Sequence, residues 1–194
     1  MLLLLLGVDG AQFRTPSNKD EVLEKLIIDI AGGSKNALEE LYRQTDSSVY
    51  GFALSILKRP HEAEDVMHDA YVRIYESAGG YRPQGKPMAW ILTIVRNLSL
   101  ARFRSKDSSN LSLMEDWLET DDNDFTEASL DQIILSRVLR NLSDEERQIV
   151  ILHSISGLKF KEIAYVLEIP LSTTISKYHR SLSKLRRILK EEAK

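Results

Sequence analysis

The segment at residues 171–187 reads LSTTISKYHRSLSKLRR and predicts an amphipathic helix with a positively charged polar face. Pro170 ends the element before it, and the hydroxyl groups of Ser172 and Thr173 are expected to cap the new helix. Apolar side chains recur every three or four residues and predict one buried stripe, made of Ile175, Tyr178, Leu182, Leu185 and Leu189. Such a helix suits the DNA major groove, where its first side chains meet base edges and its cations meet phosphates.

Two shorter helices are expected immediately before this segment. Ser143 and Glu146 match a capping box, in which each side chain bonds to the backbone N–H of the other, and Gly157 suits a left-handed turn after that helix. The next helix is marked by Phe160, Ile163, Ala164 and Leu167. Three helices connected by short turns, of which the last helix is basic, indicate a helix-turn-helix. The alternative is a plain helical bundle whose basic face is only solvated.

The composition limits the class of protein. The chain has 194 residues, of which 43% are hydrophobic, and this leaves room for one or two ordinary globular domains. Cysteine is absent, which excludes a disulfide framework and a thiolate zinc site. The net charge is only −3, but residues 159–190 hold eight Lys or Arg (positions 159, 161, 177, 180, 184, 186, 187 and 190) against Glu162 and Glu168. Local charge of this kind governs attraction to a phosphate backbone.

The first 17 residues are interpreted as a disordered leader or as the product of an over-extended gene start. The leucine run at residues 2–6 is shorter than the apolar core of a signal peptide, and no basic residue precedes it. It is also far below the roughly 20 apolar residues that span a bilayer. We therefore expect a cytoplasmic protein with no direct membrane insertion.

Residues 18–105 show helical spacing throughout. Helix starts and stops are signalled by Asn18, Gly32-Gly33, Ser34 and Arg59-Pro60. Residues 77–87 are rich in glycine and proline and predict a loop, after which a last helix runs from residue 88 to about residue 104. No window alternates strictly between apolar and polar residues, as a half-buried strand would. The predicted fold class is therefore all-α.

Residues 106–129 are interpreted as a flexible acidic linker, because carboxylates dominate there with few apolar residues between them. An alternative is that this segment occupies a positively charged channel in a partner. The linker divides the chain into an N-terminal helical domain at residues 18–105 and a C-terminal helix-turn-helix domain at residues 130–194. We expect these domains to pack against each other only when a partner holds them.

Three stretches of this chain resemble the extracytoplasmic-function class of sigma factors, the minimal two-domain specificity subunits of bacterial RNA polymerase. They are AEDVMHDAYVRIYES at residues 63–77, PMAWILTIVRNLSLARFR at residues 87–104 and the helix-turn-helix at residues 142–186. They occur in the family's order and at its spacings. The resemblance implies a non-enzymatic protein without a cofactor. The partners it implies are the clamp helices and flap of core RNA polymerase, promoter DNA and an anti-sigma factor.

The resemblance assigns polymerase binding to the helix at residues 63–77. In the family this helix docks on the clamp helices, and the matching candidates here are Glu64, Asp65, His68 and Asp69. An acidic surface that meets basic clamp residues is physically reasonable. His68 stands where the family usually has Gln, and Asp69 where it usually has Glu.

The resemblance assigns recognition of the minus-ten promoter element to residues 81–104. The expected chemistry is a pocket for a flipped base, stacking surfaces, and cations for the displaced strand. The candidate residues are Tyr81, Lys86, Arg96, Asn97, Arg102 and Arg104. Trp90 is interpreted as a core residue. Ala101 departs from the family, which commonly has Asp there.

The resemblance assigns the minus-thirty-five promoter element to the last helix, in agreement with its amphipathic pattern. The candidate contacts are Ser172, Thr173, Ser176, Lys177, His179, Arg180 and Lys184. Thr174-Ile175 departs from the family's usual apolar-then-basic order. Lys159 replaces a small polar cap, which we expect to weaken the start of the second helix by about 1 kcal/mol.

Other functions are less well supported by the sequence. The four histidines do not form a ligand-spaced set, so no metal site is predicted, and no glycine-rich phosphate loop or nucleophile–base pair can be identified. The main alternative is a stand-alone helix-turn-helix regulator that binds a palindromic duplex without polymerase. A third hypothesis is a sigma-factor mimic that occupies an anti-sigma factor.

Overall fold

The computed structural model describes residues 18–107 and 141–192, which contain helices and turns and no β-strand. The helices are α1 (Asn18–Ala31), α2 (Lys35–Leu57), α3 (Pro60–Ser77), α4 (Pro87–Asp107), α5 (Asp144–Ser154), α6 (Phe160–Leu167) and α7 (Leu171–Glu192), with a 3₁₀ turn at Ala78–Gly80. The all-α prediction is confirmed. The leader at residues 1–17 and the linker from residue 108 onwards lie outside the described residues, as do residues 130–140.

Local sequence signals set the helix ends where they were predicted. Gly33 follows α1 with φ of 90°, a value that glycine adopts without strain. The Ser34 hydroxyl oxygen accepts a hydrogen bond of 3.2 Å from the backbone N–H of Ala37 and so caps α2. Pro60 begins α3, where its missing N–H costs nothing.

The core of the N-terminal unit is built around α2, which packs against α1, α3 and α4. Its fully buried side chains include Leu41, Phe52, Ile74, Ile91 and Leu92. Several polar side chains are also buried in this unit, among them Thr45, Ser48, Ser55 and Ser99. The Thr45 hydroxyl donates to the backbone oxygen of Leu41 at 2.7 Å and lies 2.8 Å from the hydroxyl of Tyr71, so it is satisfied despite its burial.

The predicted capping box at the start of α5 is present. The Glu146 backbone N–H donates to the Ser143 side chain at 3.4 Å, and the Ser143 N–H donates to the Glu146 carboxylate at 3.0 Å. The start of α6 keeps half of such a box, because the Lys159 N–H donates to the Glu162 carboxylate at 2.8 Å. Gly157 takes the predicted left-handed turn with φ of 71°.

The buried stripe of α7 differs from the prediction. Thr174 and Ser181 are fully buried, Leu185 is also buried, and Ile175 and Leu182 are only partly covered. Burial of the two hydroxyl groups is possible because Thr174 donates to the oxygen of Pro170 at 3.1 Å and Ser181 to that of Lys177 at 2.8 Å. The small side chains also permit close approach by the neighbouring helices. Because α7 already begins at Leu171, Ser172 and Thr173 lie inside its first turn rather than at the cap.

The two helical units pack against each other, contrary to the expectation that they do so only when a partner holds them. Helix α5 lies on α2, and α6 lies on α4. Buried residues of α5, α6 and the turn between them join the N-terminal core in one apolar cluster, through Ile149, Leu152, Leu158, Ile163, Val166 and Leu167. Within residues 18–107 and 141–192, no helix is long and apolar enough to cross a bilayer.

Candidate polymerase and promoter interfaces

The outward face of α7 carries an exposed polar row. Packing of α7 on α5 and α6 leaves its opposite side open. The exposed side chains there are Ser172, Ser176, His179, Arg180, Ser183 and Arg187. Their spacing of mostly three or four residues brings them onto one face. Four of the seven predicted minus-thirty-five contacts therefore lie together on this exposed row.

Lys177 and Lys184, also predicted to contact DNA, lie on the flank of α7 that faces α5. Lys177 pairs with the carboxylate of Glu145. The ammonium of Lys184 lies 2.8 and 2.9 Å from the two carboxylate oxygens of Glu146. Phosphate contacts by these lysines would have to replace the internal ion pairs.

The carboxylate of Glu146 is held in its charged form. Burial by itself would raise its pKa, but hydrogen bonds from Lys184 and from the Ser143 backbone outweigh burial, so the pKa lies below the ordinary value. The same side chain thus caps α5 and anchors α7. The sequence indicated the cap but gave no sign of the link to Lys184.

The predicted minus-ten residues do not form one surface. Asn97 and Arg104 are exposed on one face of α4, where Ala101 lies between them. Arg96 instead turns toward α6, with its side chain only 18% exposed. The Arg96 guanidinium lies 3.1 Å from the carboxylate of Glu168 and donates to the backbone oxygen of Leu167 at 3.4 Å.

The loop before α4 is anchored by Glu24, a residue that sequence reasoning missed. The hydroxyl of Tyr81 donates to the Glu24 carboxylate at 2.9 Å, and the backbone N–H of Gly85 donates to the same oxygen at 3.0 Å. Burial and the neighbouring carboxylate raise the pKa of Tyr81. The Tyr81 ring also packs against Trp90, with ring centres 5.0 Å apart. Trp90 is half-buried and packs against the edge of the apolar core. Lys86 is exposed in this loop.

The predicted polymerase residues are all exposed on one side of α3. Glu64, Asp65, His68 and Asp69 continue into an exposed apolar pair, Val72 at 59% and Tyr75 at 40% exposure. The spacing of apolar residues along α3 did not reveal that this pair is exposed, because it does not show which side of the helix packs against the core. Exposed apolar residues beside charged ones are typical of a protein–protein interface.

Asp65 has an internal partner as well. It pairs with Arg102 of α4, one of the predicted minus-ten residues. This contact joins the predicted polymerase face of α3 to the predicted DNA face of α4. Substitution of Asp65 therefore perturbs both faces, which makes it a poor probe of polymerase binding alone. Across the described part of the chain, no group of three or more His, Asp or Glu side chains could hold a metal ion.

Two family models match this chain, Sigma-70 region 2 over residues 41–109 and Sigma-70, region 4 over residues 132–185. Its curated relatives include the ECF RNA polymerase sigma factor SigK of Mycobacterium sp. (strain KMS), 28% identical over 86% of this chain and 90% of that protein. The chain belongs to the extracytoplasmic-function class of the sigma-70 family. Another relative is the ECF RNA polymerase sigma factor SigE of Mycolicibacterium smegmatis, 29% identical over 86% of this sigma factor and 68% of that protein.

Solved structures agree with the fold of this sigma factor. CnrH, solved in complex with the cytosolic domain of CnrY, matches with a TM-score of 0.61 and 20% identity over 88% of this chain and 98% of CnrH. RpoE from Bartonella quintana, solved with the anti-sigma factor NepR, matches with a TM-score of 0.63 and 22% identity over 78% and 96% of the two chains.

These matches confirm the family that the three sequence stretches indicated. They favour a sigma factor over the stand-alone regulator, which has no need of a region 2 domain. The domain boundaries and the individual contact residues stay predictions.

Proposed function

We propose that this sigma factor binds core RNA polymerase through the exposed side of α3 and directs it to promoters through α4 and α7, with no catalysis of its own. The observation that carries the proposal is the exposed row on α7 within a region 4 match. That row combines small polar side chains near the helix start with bases further along, as a major-groove helix requires.

Recognition of the minus-thirty-five element is assigned to the exposed row of α7. Arg180 is the strongest candidate for a base contact, because its guanidinium is exposed and can bond to a guanine with two hydrogen bonds. Ser172, Ser176 and His179 lie on the same face, closer to the helix start. Lys177 and Lys184 are proposed to contribute phosphate contacts after leaving their partners on α5.

Recognition of the minus-ten element is assigned to α4 and the loop before it. Asn97 and Arg104 share an exposed face that a separated DNA strand can reach. The anchoring of Tyr81 and Gly85 on Glu24 gives the loop a defined position. Lys86 supplies a positive charge beside it.

Polymerase binding is assigned to the side of α3 that carries Glu64, Asp65, His68 and Asp69. The exposed pair Val72 and Tyr75 extends this side and supplies apolar area next to the carboxylates. The carboxylates would steer the chain toward a basic partner surface, and the apolar pair would contribute affinity. The flap of the polymerase is proposed as the partner of the region 4 domain.

Two further assignments complete the proposal. An anti-sigma factor is proposed as a regulator, in view of the complex of the related RpoE with NepR. A cytoplasmic location follows from the function, because polymerase and promoter DNA are there.

The proposal is tested by co-elution of the purified chain with bacterial core RNA polymerase. We expect the wild type to co-elute and Val72→Asp to lose most of its binding, since a charge introduced into the contact must be desolvated. Ile28→Asp is the matched control, because Ile28 is a similarly exposed apolar residue, at 51%, on a different helix, α1. Equal co-elution of both variants with polymerase would remove α3 as the docking surface.

A further inference from the structure

The first turn of α5 carries three consecutive carboxylates, at residues 144–146. Two of them bind lysines of α7, the helix proposed to recognise the minus-thirty-five element. Glu145 pairs with Lys177, and the carboxylate of Glu146 lies 2.8 Å from the ammonium of Lys184. The flank of α7 that faces α5 therefore has its positive charge paired inside the protein, whereas the exposed row beside it faces solvent.

The two ion pairs differ in what else depends on them. The Glu146 carboxylate is only 8% exposed and also closes the capping box of α5, so its removal would damage the fold. The Glu145 carboxylate is 52% exposed and is not part of that box. Breaking an ion pair of this exposure shifts an equilibrium constant by at most about fivefold. The pair of Lys177 with Glu145 can thus open without loss of the fold.

Lys177 lies at the edge of the exposed row of α7. It is adjacent in sequence to Ser176 and one turn before Arg180, and both of these residues are exposed on that row. A duplex seated on the row would bring its phosphates to this edge, where a lysine ammonium is a suitable contact. In the free chain the Glu145 carboxylate bonds to that ammonium, as a phosphate oxygen would.

Exchange of Glu145 for a phosphate brings Lys177 little net gain in electrostatic energy. Lys177 has one anionic partner before the exchange and one after it, and the Glu145 carboxylate is left beside a negatively charged backbone that repels it. The freed carboxylate also attracts a cation of its own, so fewer counterions are released than when an unpaired lysine binds a phosphate. Because phosphates carry no sequence information, this restraint weakens binding to every sequence alike.

We propose that Glu145 is a positioning residue that holds Lys177 away from DNA phosphates and so restrains sequence-independent binding by α7. The inference rests on the proposed promoter function of α7. Arg180 differs, because its guanidinium bonds to the Ser176 carbonyl oxygen of its own helix. Non-promoter sequences vastly outnumber promoters in a genome, so even a severalfold restraint lowers the amount of free chain that is held on them.

The proposal is tested by binding of the free chain to a labelled random-sequence duplex, followed by fluorescence anisotropy between about 50 and 200 mM salt. We expect Glu145→Gln to strengthen this binding about two- to fivefold at the lowest salt concentration. It should also steepen the slope of log affinity against log salt concentration by about one, because the released Lys177 adds one phosphate contact. Damage to the helix-turn-helix would weaken binding instead.

Two variants separate the role of Lys177 from a general effect of charge. Glu21→Gln removes the same charge from an exposed position on α1 and should leave the affinity unchanged. In the Lys177→Ala background, Glu145→Gln should change the affinity by less than about twofold and leave the salt slope unaltered. The proposal is overturned if Glu145→Gln gains no affinity, if Glu21→Gln gains as much, or if the gain is the same with and without Lys177.

Transcription with core polymerase distinguishes this proposal from the function on which it rests. Glu145→Gln should keep the wild-type pattern of discrimination among promoters that vary in the minus-thirty-five element, because the gain in binding is the same for all sequences. An altered pattern would overturn the assignment of Glu145 to phosphate binding. Absence of chain-dependent transcription with the wild type would instead contradict the proposed promoter function, whatever the duplex measurement shows.

Discussion

Substitution of Arg180 by alanine gives a quantitative test of base recognition by α7. Within the described residues, the hydrogen bond of its guanidinium is from Nε to the Ser176 carbonyl oxygen of its own helix, at 3.3 Å. No ion pair within the described part of the chain has to break before Arg180 contacts DNA. A two-hydrogen-bond contact to a guanine is worth about 1–3 kcal/mol, so Arg180→Ala should reduce use of the preferred promoter by roughly 5- to 150-fold.

Lys177→Ala is the matched control for this prediction. Lys177 lies one turn earlier on the same helix but pairs with Glu145. This ion pair must break before Lys177 can contact a phosphate. We expect removal of the Lys177 ammonium to weaken promoter binding by less than about 1 kcal/mol, equally for all promoter sequences.

The assay is transcription by holoenzyme on a set of promoters that vary at single positions of the minus-thirty-five element. Arg180→Ala should abolish discrimination at one position and leave it intact at the others, whereas Lys177→Ala should leave the pattern unchanged. If Arg180→Ala reduces transcription equally from all promoters of the set, Arg180 has no role in base recognition and contacts a phosphate instead.

Three further predictions concern residues that hold the proposed DNA-binding elements in place. Lys184 and the Ser143 N–H hold the pKa of Glu146 below its ordinary value, against the opposing effect of burial. The contribution of this carboxylate to stability is therefore complete above about pH 4.5 and is lost as pH falls through the lowered pKa. Glu146→Gln should flatten the acid limb of the unfolding free energy, measured by thermal melts between pH 6 and 3 (~3 pH units). Ser143→Ala should lower the unfolding free energy in urea by about 1 kcal/mol, and no change would show that the cap is dispensable. Glu24→Ala should weaken promoter opening without loss of binding to polymerase, since Tyr81 loses its hydrogen-bond acceptor. Promoter opening is measured by the permanganate reactivity of thymines, and unaltered reactivity would contradict a role of the loop in opening.

The parts of the fold that could be predicted are those that neighbouring residues determine. The cap at Ser34, the left-handed turns at Gly33 and Gly157, and the capping box at Ser143 depend on bonds across three or four residues. The sequence shows such bonds directly. The family could be recognised for a similar reason, because the three stretches keep their order and spacing.

The register of α7 could not be predicted from hydrophobicity. Thr174 and Ser181 are polar in any hydrophobic pattern. They can nevertheless be buried, because their hydroxyl groups donate to the carbonyl oxygens of Pro170 and Lys177, four residues earlier in the chain. Ile175 and Leu182, which the pattern assigned to the core, lie at its border.

The sequence indicated candidate site residues, whose roles stay predictions, but it did not indicate the partners of these residues within the fold. The exposed side of α3 was assigned to polymerase binding by the resemblance to sigma factors. Val72 and Tyr75 were not recognised as exposed, because an apolar residue at helical spacing looks the same on either side of a helix. The pairings of Arg96 with Glu168 and of Asp65 with Arg102 connect residues distant in sequence. They arise only when the helices pack.

Promoter-directed initiation by this sigma factor is tested by transcription reconstituted from core RNA polymerase and this chain, on genomic DNA of the organism that encodes it. We expect discrete transcripts that start at defined positions only when the chain is present, and that disappear with Val72→Asp and persist with Ile28→Asp. An absence of chain-dependent transcripts, together with tight binding of the free chain to a palindromic duplex, would contradict this expectation and support a stand-alone regulator.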